Sequence, residues 1–269
     1  MAAHKKAHDI APKVLMVLET STYMNRLEAN QFSIFTQKFH NSVTKTFHHY
    51  EGTVVKKNDN VYLVYFSSVT NAVLCALKIQ SDYKYITPKI EGSQRKLRIG
   101  ISLVGTSSKS SNSLETAVVN ASRMCDHMNY QITITTEVKN TYENENERAI
   151  IDKDHIRVLS DKEKLFLSRL LNFSESAWNT PQFTIEALSK EVAYSSSQLT
   201  RNLKRLTGKT PNTFIREFRL NKALGLLHDH SGTISSIAKK SGFKSATHFT
   251  KSFTYKFGIL PSKYAQHHT

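Results

Sequence analysis

The feature that most restricts this chain is an approximate duplication in its C-terminal part. Thr184-Ile185, Leu188, Leu199-Thr200-Arg201, Leu203, Gly208 and Pro211 recur as Thr233-Ile234, Ile237, Phe249-Thr250-Lys251, Phe253, Gly258 and Pro261, at an offset of 49 residues early and 50 later. Repetition at such a period makes each copy one supersecondary unit. Apolar periodicity predicts two short helices in each, over residues 184–192 and 196–207, then 234–240 and 246–257. A small residue, Ala193 or Gly242, stands at each break, where little space or a left-handed backbone is needed. That is the helix-turn-helix pattern.

Helical spacing separates a core face from an outer face. With Leu199 and Leu203 inward, Ser196, Ser197, Thr200, Arg201 and Lys204 lie outward or flanking; with Phe249 and Phe253 inward, so do Ala246, Thr247, His248, Thr250 and Lys251. Small hydroxyl side chains beside a cation suit a helix entering a major groove, because they permit close approach while Arg or Lys reaches phosphate or guanine. An ordinary solvated face is the alternative for one copy and a poor account of two. Between the copies, residues 211–230 read as a helix capped by Thr210, opened by Pro211 and ended by Ser231-Gly232. Twenty residues at about 1.5 Å each span about 30 Å, close to the ~34 Å between successive major grooves on one face of B-DNA.

Charge agrees with this division. The 269 residues carry a net charge of +15, with 20 Lys/Arg against 15 Asp/Glu before Asp161 and 17 against 7 from it onward. The shorter part is the more basic, which suits a polyanionic partner. No apolar run approaches the ~20 residues of a membrane span, runs such as residues 14–18 and 61–66 being far shorter, and no secretory signal core precedes them. A cytoplasmic bacterial protein without a membrane partner, associated with the nucleoid when bound, is the expectation. Cys75 and Cys125 are too few for a disulfide framework, and the histidines have no metal-ligand spacing, so neither a metal nor a cofactor is expected.

The segment from Phe183 to Gln266 strongly resembles the AraC/XylS DNA-binding domain. The resemblance rests on Leu199-Thr-Arg-Asn-Leu-Lys-Arg-Leu-Thr-Gly208, Phe218-Arg-Leu-Asn-Lys-Ala223, and Gly242-Phe243 followed by Phe249-Thr-Lys-Ser-Phe253 and Gly258-Ile-Leu-Pro261-Ser-Lys-Tyr264. It implies an all-α double helix-turn-helix transcription factor whose two reading helices lie in consecutive major grooves of promoter DNA, commonly an activator that touches RNA polymerase. Ser189 departs from its counterpart Ala238, and a hydroxyl there is expected to crowd the helix crossing.

Residues 1–12 read as a tail and residues 13–160 as a separate α+β domain, with the double helix-turn-helix over 161–269. The first domain predicts strands at 13–18, 53–57, 61–66, 97–103 and 131–135, with helices at 30–49, 69–83 and 113–128. This gives a sandwich with helices on one face of a mostly antiparallel sheet. Asn58-Asp59-Asn60 supplies a hairpin turn. Residues 140–154 read as a polar surface excursion and 155–159 as a further strand.

This domain is similar to class III nucleotidyl cyclase catalytic domains. The likeness is carried in order by His49-Tyr-Glu-Gly52-Thr-Val-Val-Lys-Lys-Asn-Asp59, Ala72-Val-Leu-Cys-Ala76, Leu97-Arg-Ile-Gly-Ile101 and Ala121-Ser-Arg-Met124. It implies a ferredoxin-like fold and a site built between two subunits, hence a homodimer. Cyclisation in that family needs two metal-holding carboxylates, a ribose-orienting Asn and a charge-stabilising Arg. Of these, Asp59 and Arg123 are retained. Glu19 replaces the other carboxylate and Val119 the Asn. Thr116 and Val55 stand where base-recognising Asp and Lys belong, and Asn58 replaces a Gly. Losing one oriented group costs ~10² to 10³ in rate, so the resemblance implies a degenerate nucleotide site without turnover, open to a nucleotide or small-molecule effector. An active cyclase fused to a DNA-binding domain is the alternative. The same residues also admit a structural reading, with Asp59 in a tight turn, Arg123 in an ion pair and Glu19 at a strand end.

Overall fold

The computed structural model describes residues 14–20, 29–58, 61–86, 97–105, 113–147 and 149–266. They fall into two compact units, one ending at Asp161 and the other running from Lys162.

The first unit runs β1 (Val14–Thr20), α1 (Ala29–His49), β2 (Thr53–Lys57), β3 (Val61–Phe66), α2 (Val69–Ile86), β4 (Leu97–Leu103), α3 (Ser113–His127), β5 (Ile132–Thr135), α4 (Thr136–Glu145), β6 (Ile156–Leu159). Its six strands lie in the order β2-β3-β1-β4-β5-β6. The first three pairings are antiparallel, while β4-β5 and β5-β6 are parallel. Burial fits the parallel half. β5 is buried at all four positions and β4 at five of seven, so these strands lack one-sided alternation and are covered on both faces.

Helices therefore lie on both faces, not on one as the element pattern suggested. Tyr62, Leu18, Ile99 and Ile132 are in register and share a face, on which the Tyr62 ring meets Phe39 and Phe47 of α1. Val17, Gly100 and Thr133 point the other way. A Cβ on Gly100 would stand 2.2 Å from the Ala121 carbonyl oxygen of α3, so α3 crosses that second face at backbone contact. The signal was present in Gly100, a glycine inside an apolar strand, which marks a close backbone approach.

A second correction concerns the polar stretch after β5. Its first part belongs to α4, capped by the Thr135 hydroxyl accepting from the Val138 amide, with Val138 fully buried. Glu145 accepts from the Thr70 amide (3.1 Å) and hydroxyl (2.8 Å), tying the end of α4 to the start of α2. Acidic surface residues hid this helix because a single buried anchor leaves almost no periodicity.

The second unit is helical: α5 (Asp161–Ala177), α6 (Ile185–Glu191), α7 (Ser196–Thr207), α8 (Pro211–His228), α9 (Ile234–Lys240), α10 (Ala246–Phe257) and α11 (Pro261–Gln266). Each helix of the two copies starts on a hydroxyl that accepts from a first-turn amide, namely Thr184, Ser195, Thr233 and Ser245. Ser195 and Gln198 complete a reciprocal capping box. Gly208 (φ 73°) and Gly258 (φ 75°) end α7 and α10 in the left-handed region, which explains why the repeat keeps both. The linking helix α8 stops at His228, two residues earlier than expected, because His230 itself turns left-handed (φ 47°) before Gly232 is reached. Among the described residues no helix is long and apolar enough to cross a membrane.

Candidate nucleic-acid interface

The two turns are built alike. Ala193 (φ 55°) and Gly242 (φ 76°) are both left-handed. The Tyr194 amide returns to the Ser189 carbonyl and the Phe243 amide to the Ala238 carbonyl, each at 3.0 Å. Leu188, Leu199 and Leu203 are buried in one copy, and Ile237, Phe249 and Phe253 in the other. Ser189 is buried with an Oγ that has no hydrogen-bond partner, whereas Ala238 has nothing to satisfy. An orphaned buried hydroxyl costs about 1–3 kcal/mol, so Ser189→Ala is expected to stabilise the chain by about 1 kcal/mol in denaturant titration. Destabilisation would assign that hydroxyl a partner.

On α7, Ser196, Ser197, Thr200, Arg201 and Lys204 are all exposed and line one concavity of about 660 Å³, together with Arg205. The Thr200 hydroxyl donates to the Ser196 carbonyl (2.8 Å). On α10, Thr247, His248 and Lys251 are exposed and Thr250 is half-buried. Ala246 differs, because it packs on the core formed by Leu220, Ile237 and Phe249. The His248 ring rests against Phe243, with centroids 5.7 Å apart. Two further residues extend these faces. Arg205 and Tyr255 follow Arg201 and Lys251 by one turn at matching repeat positions; Arg205 pairs with Glu163 of α5, and Tyr255 is 90% exposed. The spacing of four from the cation at each site was the available clue.

What fixes one copy against the other is charge on α8. Glu217 Oε2 accepts from Lys209 Nζ at the α7–α8 turn (3.0 Å) and from Lys256 Nζ on α10 (2.9 Å). Burial pushes the Glu217 carboxyl up, but the Lys256 and Lys209 ammonium groups outweigh it and hold it down at about 2. Two residues further along α8, the Arg219 guanidinium donates to the Trp178 (2.9 Å) and Thr180 (3.1 Å) carbonyls and lies over the Phe183 ring. A Cβ on Gly242 would meet the Arg219 Nε at 2.7 Å, so the second turn is seated on a side chain anchored before the first copy.

A carboxyl depressed on folding stabilises above its ordinary pKa of 4.5 and loses that contribution as pH falls toward about 2. Glu217→Gln is expected to cost ~1–2 kcal/mol at pH 7, after allowance for partial exposure. The gap from wild type should close between pH 4.5 and 2; a gap independent of pH would contradict the ion-pair account.

In the first unit, the described residues matched to a nucleotide site lie on different elements, Glu19 on β1 and Arg123 on α3. Glu19 stands opposite Arg98 in register and hydrogen-bonds Asp126, with its Oε2 buried and unpartnered. Burial, then the Asp126 charge, raise its carboxyl to about 7 against the pull of Arg98. Arg98 Nη1 in turn donates to the Cys125 and Asp126 carbonyls at 3.1 and 3.2 Å. Arg123 is half-buried on α3, and Asp59 lies outside the described residues. Thr116, Val119 and Asn58 are exposed, as is Val55, where the β2-β3 register slips.

Residues 188–267 match the family model described as a helix-turn-helix domain. The chain is 37% identical over 114 residues to histidine kinase P4 of Formosa agariphila, covering 42% of this chain and 8% of that protein. It is 33% identical over 100 residues to the HTH-type transcriptional activator RhaR of Pectobacterium carotovorum, covering 37% and 35%. Among solved structures, it is similar to a transcriptional regulator with an AraC-type DNA-binding domain from Chromobacterium violaceum, at 28% identity over 39% of this chain and 92% of that one, with a TM-score of 0.37. The chain thus spans little more than a third of these curated relatives at most. The whole of the segment that matches the helix-turn-helix model lies within the C-terminal unit.

Proposed function

We propose that the chain is a sequence-specific transcription regulator that binds double-stranded promoter DNA through α7 and α10. One observation carries the reading: the two copies present exposed hydroxyl and cationic side chains at matching positions of α7 and α10, each copy capped and turned alike. The basic excess of residues 161–269 supports it, since Lys and Arg bind phosphate by releasing counterions. In this reading Ser196, Ser197, Thr200, Arg201 and Lys204 enter one major groove, and Thr247, His248, Thr250 and Lys251 the next. Selecting genomic fragments with the full chain and titrating the enriched duplex with salt tests it. Affinity should fall steeply as salt rises; affinity indifferent to salt would contradict it.

The first unit, in this proposal, is a ferredoxin-like, cyclase-type module that pairs two chains and responds to an effector without turning over a nucleotide. The antiparallel order β2-β3-β1-β4 across a β-α-β-β-α-β run supports the ferredoxin-like reading. Val119 and Thr116, standing where the resemblance expects an Asn and an Asp, support the absence of turnover, because neither can supply the oriented polar group. Cyclic product from ATP or GTP with manganese, abolished by Asp59→Ala, would overturn that part.

A further inference from the structure

The two copies are unequal in their first helices. A helix-turn-helix lays its second helix in the major groove while its first crosses the sugar-phosphate backbone. In the first copy that crossing element is α6, where Lys190 is exposed between exposed Glu186 and Glu191. In the second it is α9, where the positions matching Lys190 and Glu191 are Lys239 and Lys240, both exposed, and where Ser235 replaces Glu186. From Thr233 to Ser245 there is no acidic residue.

The change of repeat offset from 49 to 50 has a location. Both turns run from a left-handed residue to a capping serine, but Tyr194 alone separates Ala193 from Ser195, whereas Phe243 and Lys244 separate Gly242 from Ser245. The residue that lengthens the second turn is an exposed lysine. Neither Lys239 nor Lys244 has an ion pair among the described residues. Lys240 spends one donor on the Ser231 carbonyl (2.7 Å) and keeps two. The reading helices lean the other way: α7 presents Arg201 and Lys204 among three hydroxyls, whereas α10 presents Lys251 as its exposed cation and its Lys256 is held by Glu217.

We propose that Lys239, Lys240 and Lys244 form a phosphodiester-binding clamp that makes the second helix-turn-helix the sequence-independent anchor, and leaves base discrimination mainly to α7. This rests on the DNA-binding reading above and deepens it. Phosphate contacts set the salt slope, at about 0.9 per phosphate, whereas base contacts set the ratio between right and wrong sequences.

The test uses the full chain and two labelled duplexes of equal length, one enriched from genomic DNA by the wild type and one with its sequence shuffled, titrated across salt concentrations by anisotropy. Lys239→Gln/Lys240→Gln/Lys244→Gln should flatten the slope by roughly 2 to 3 on both duplexes and leave their affinity ratio within about threefold. Glu191→Lys, which puts a cation where the first copy lacks one, should steepen it by about 1. Arg201→Ala should lower the ratio at least tenfold with a slope change of about 1 or less. A triple variant with the wild-type slope, or with loss confined to the enriched duplex, overturns the clamp while leaving the regulator reading intact. Wild-type protein that binds neither duplex overturns both.

Discussion

Gly100→Ala is expected to cost the first unit on the order of 3–5 kcal/mol, enough to unfold a domain of ordinary stability. The added methyl would meet the Ala121 carbonyl oxygen at 2.2 Å and the Met124 Cβ at 3.1 Å. Neither partner is a flexible tip: one is helix backbone, and the other belongs to a side chain buried to 2% exposure. Relief requires lifting α3 from β1 and β4, which uncovers Val17 and Cys125. Hydrogen exchange localises the effect. Peptides of α3 and β4 should lose protection while those of α7 and α10 keep theirs. An unchanged denaturation midpoint would mean that α3 does not cross the sheet at backbone contact.

Replacing Arg201 and Lys251 together with alanine should have the largest effect on DNA binding. Each is exposed on its reading helix one turn after a small hydroxyl residue, Ser197 or Thr247. A cation touching a base is worth ~1–3 kcal/mol. The two sit on different helices with no partner in common, so their costs should add to roughly 2–6 kcal/mol, about 30-fold to 10⁴-fold in affinity. Because both are exposed, the double variant should keep wild-type thermal stability. Binding within threefold of wild type would move the reading surface elsewhere on the second unit.

The second unit was legible because its signals are local. Capping hydroxyls, glycines at Gly208 and Gly258, and apolar residues at spacings of three and four each act within one turn, so the five helices of the repeat lie within about two residues of where the pattern put them. What the sequence hid there is non-local. Glu217 meets Lys256 across 39 positions, and Arg219 meets the Trp178 carbonyl across 41; no periodicity announces either contact. Strand order in the first unit is hidden for the same reason. β1 pairs with β3 and β4, never with its chain neighbour β2, so only a resemblance could suggest that order.

The resemblance-bearing segments of the first unit acquire a physical meaning from this packing. Arg-Ile-Gly-Ile places Gly100 under α3, and Ala-Ser-Arg-Met sets the Ala121 carbonyl and Met124 against it, so one contact accounts for both. Arg98 from the same strand caps the end of α3 through the Cys125 and Asp126 carbonyls, where the helix dipole favours a cation. These motifs report helix-on-sheet geometry as much as chemistry. Glu19, which the resemblance aligned with a metal ligand, has a carboxyl that burial and the Asp126 charge push up.

In the proposed reading α8, an 18-residue rod about 27 Å long, holds α7 and α10 so that one chain spans two successive grooves. Methylation interference on the enriched duplex measures this directly, since guanine N7 lies in the major groove. The account predicts two interfering clusters about 10 base pairs apart on one face of the helix for each bound chain. A single cluster, or two on opposite faces, would contradict it.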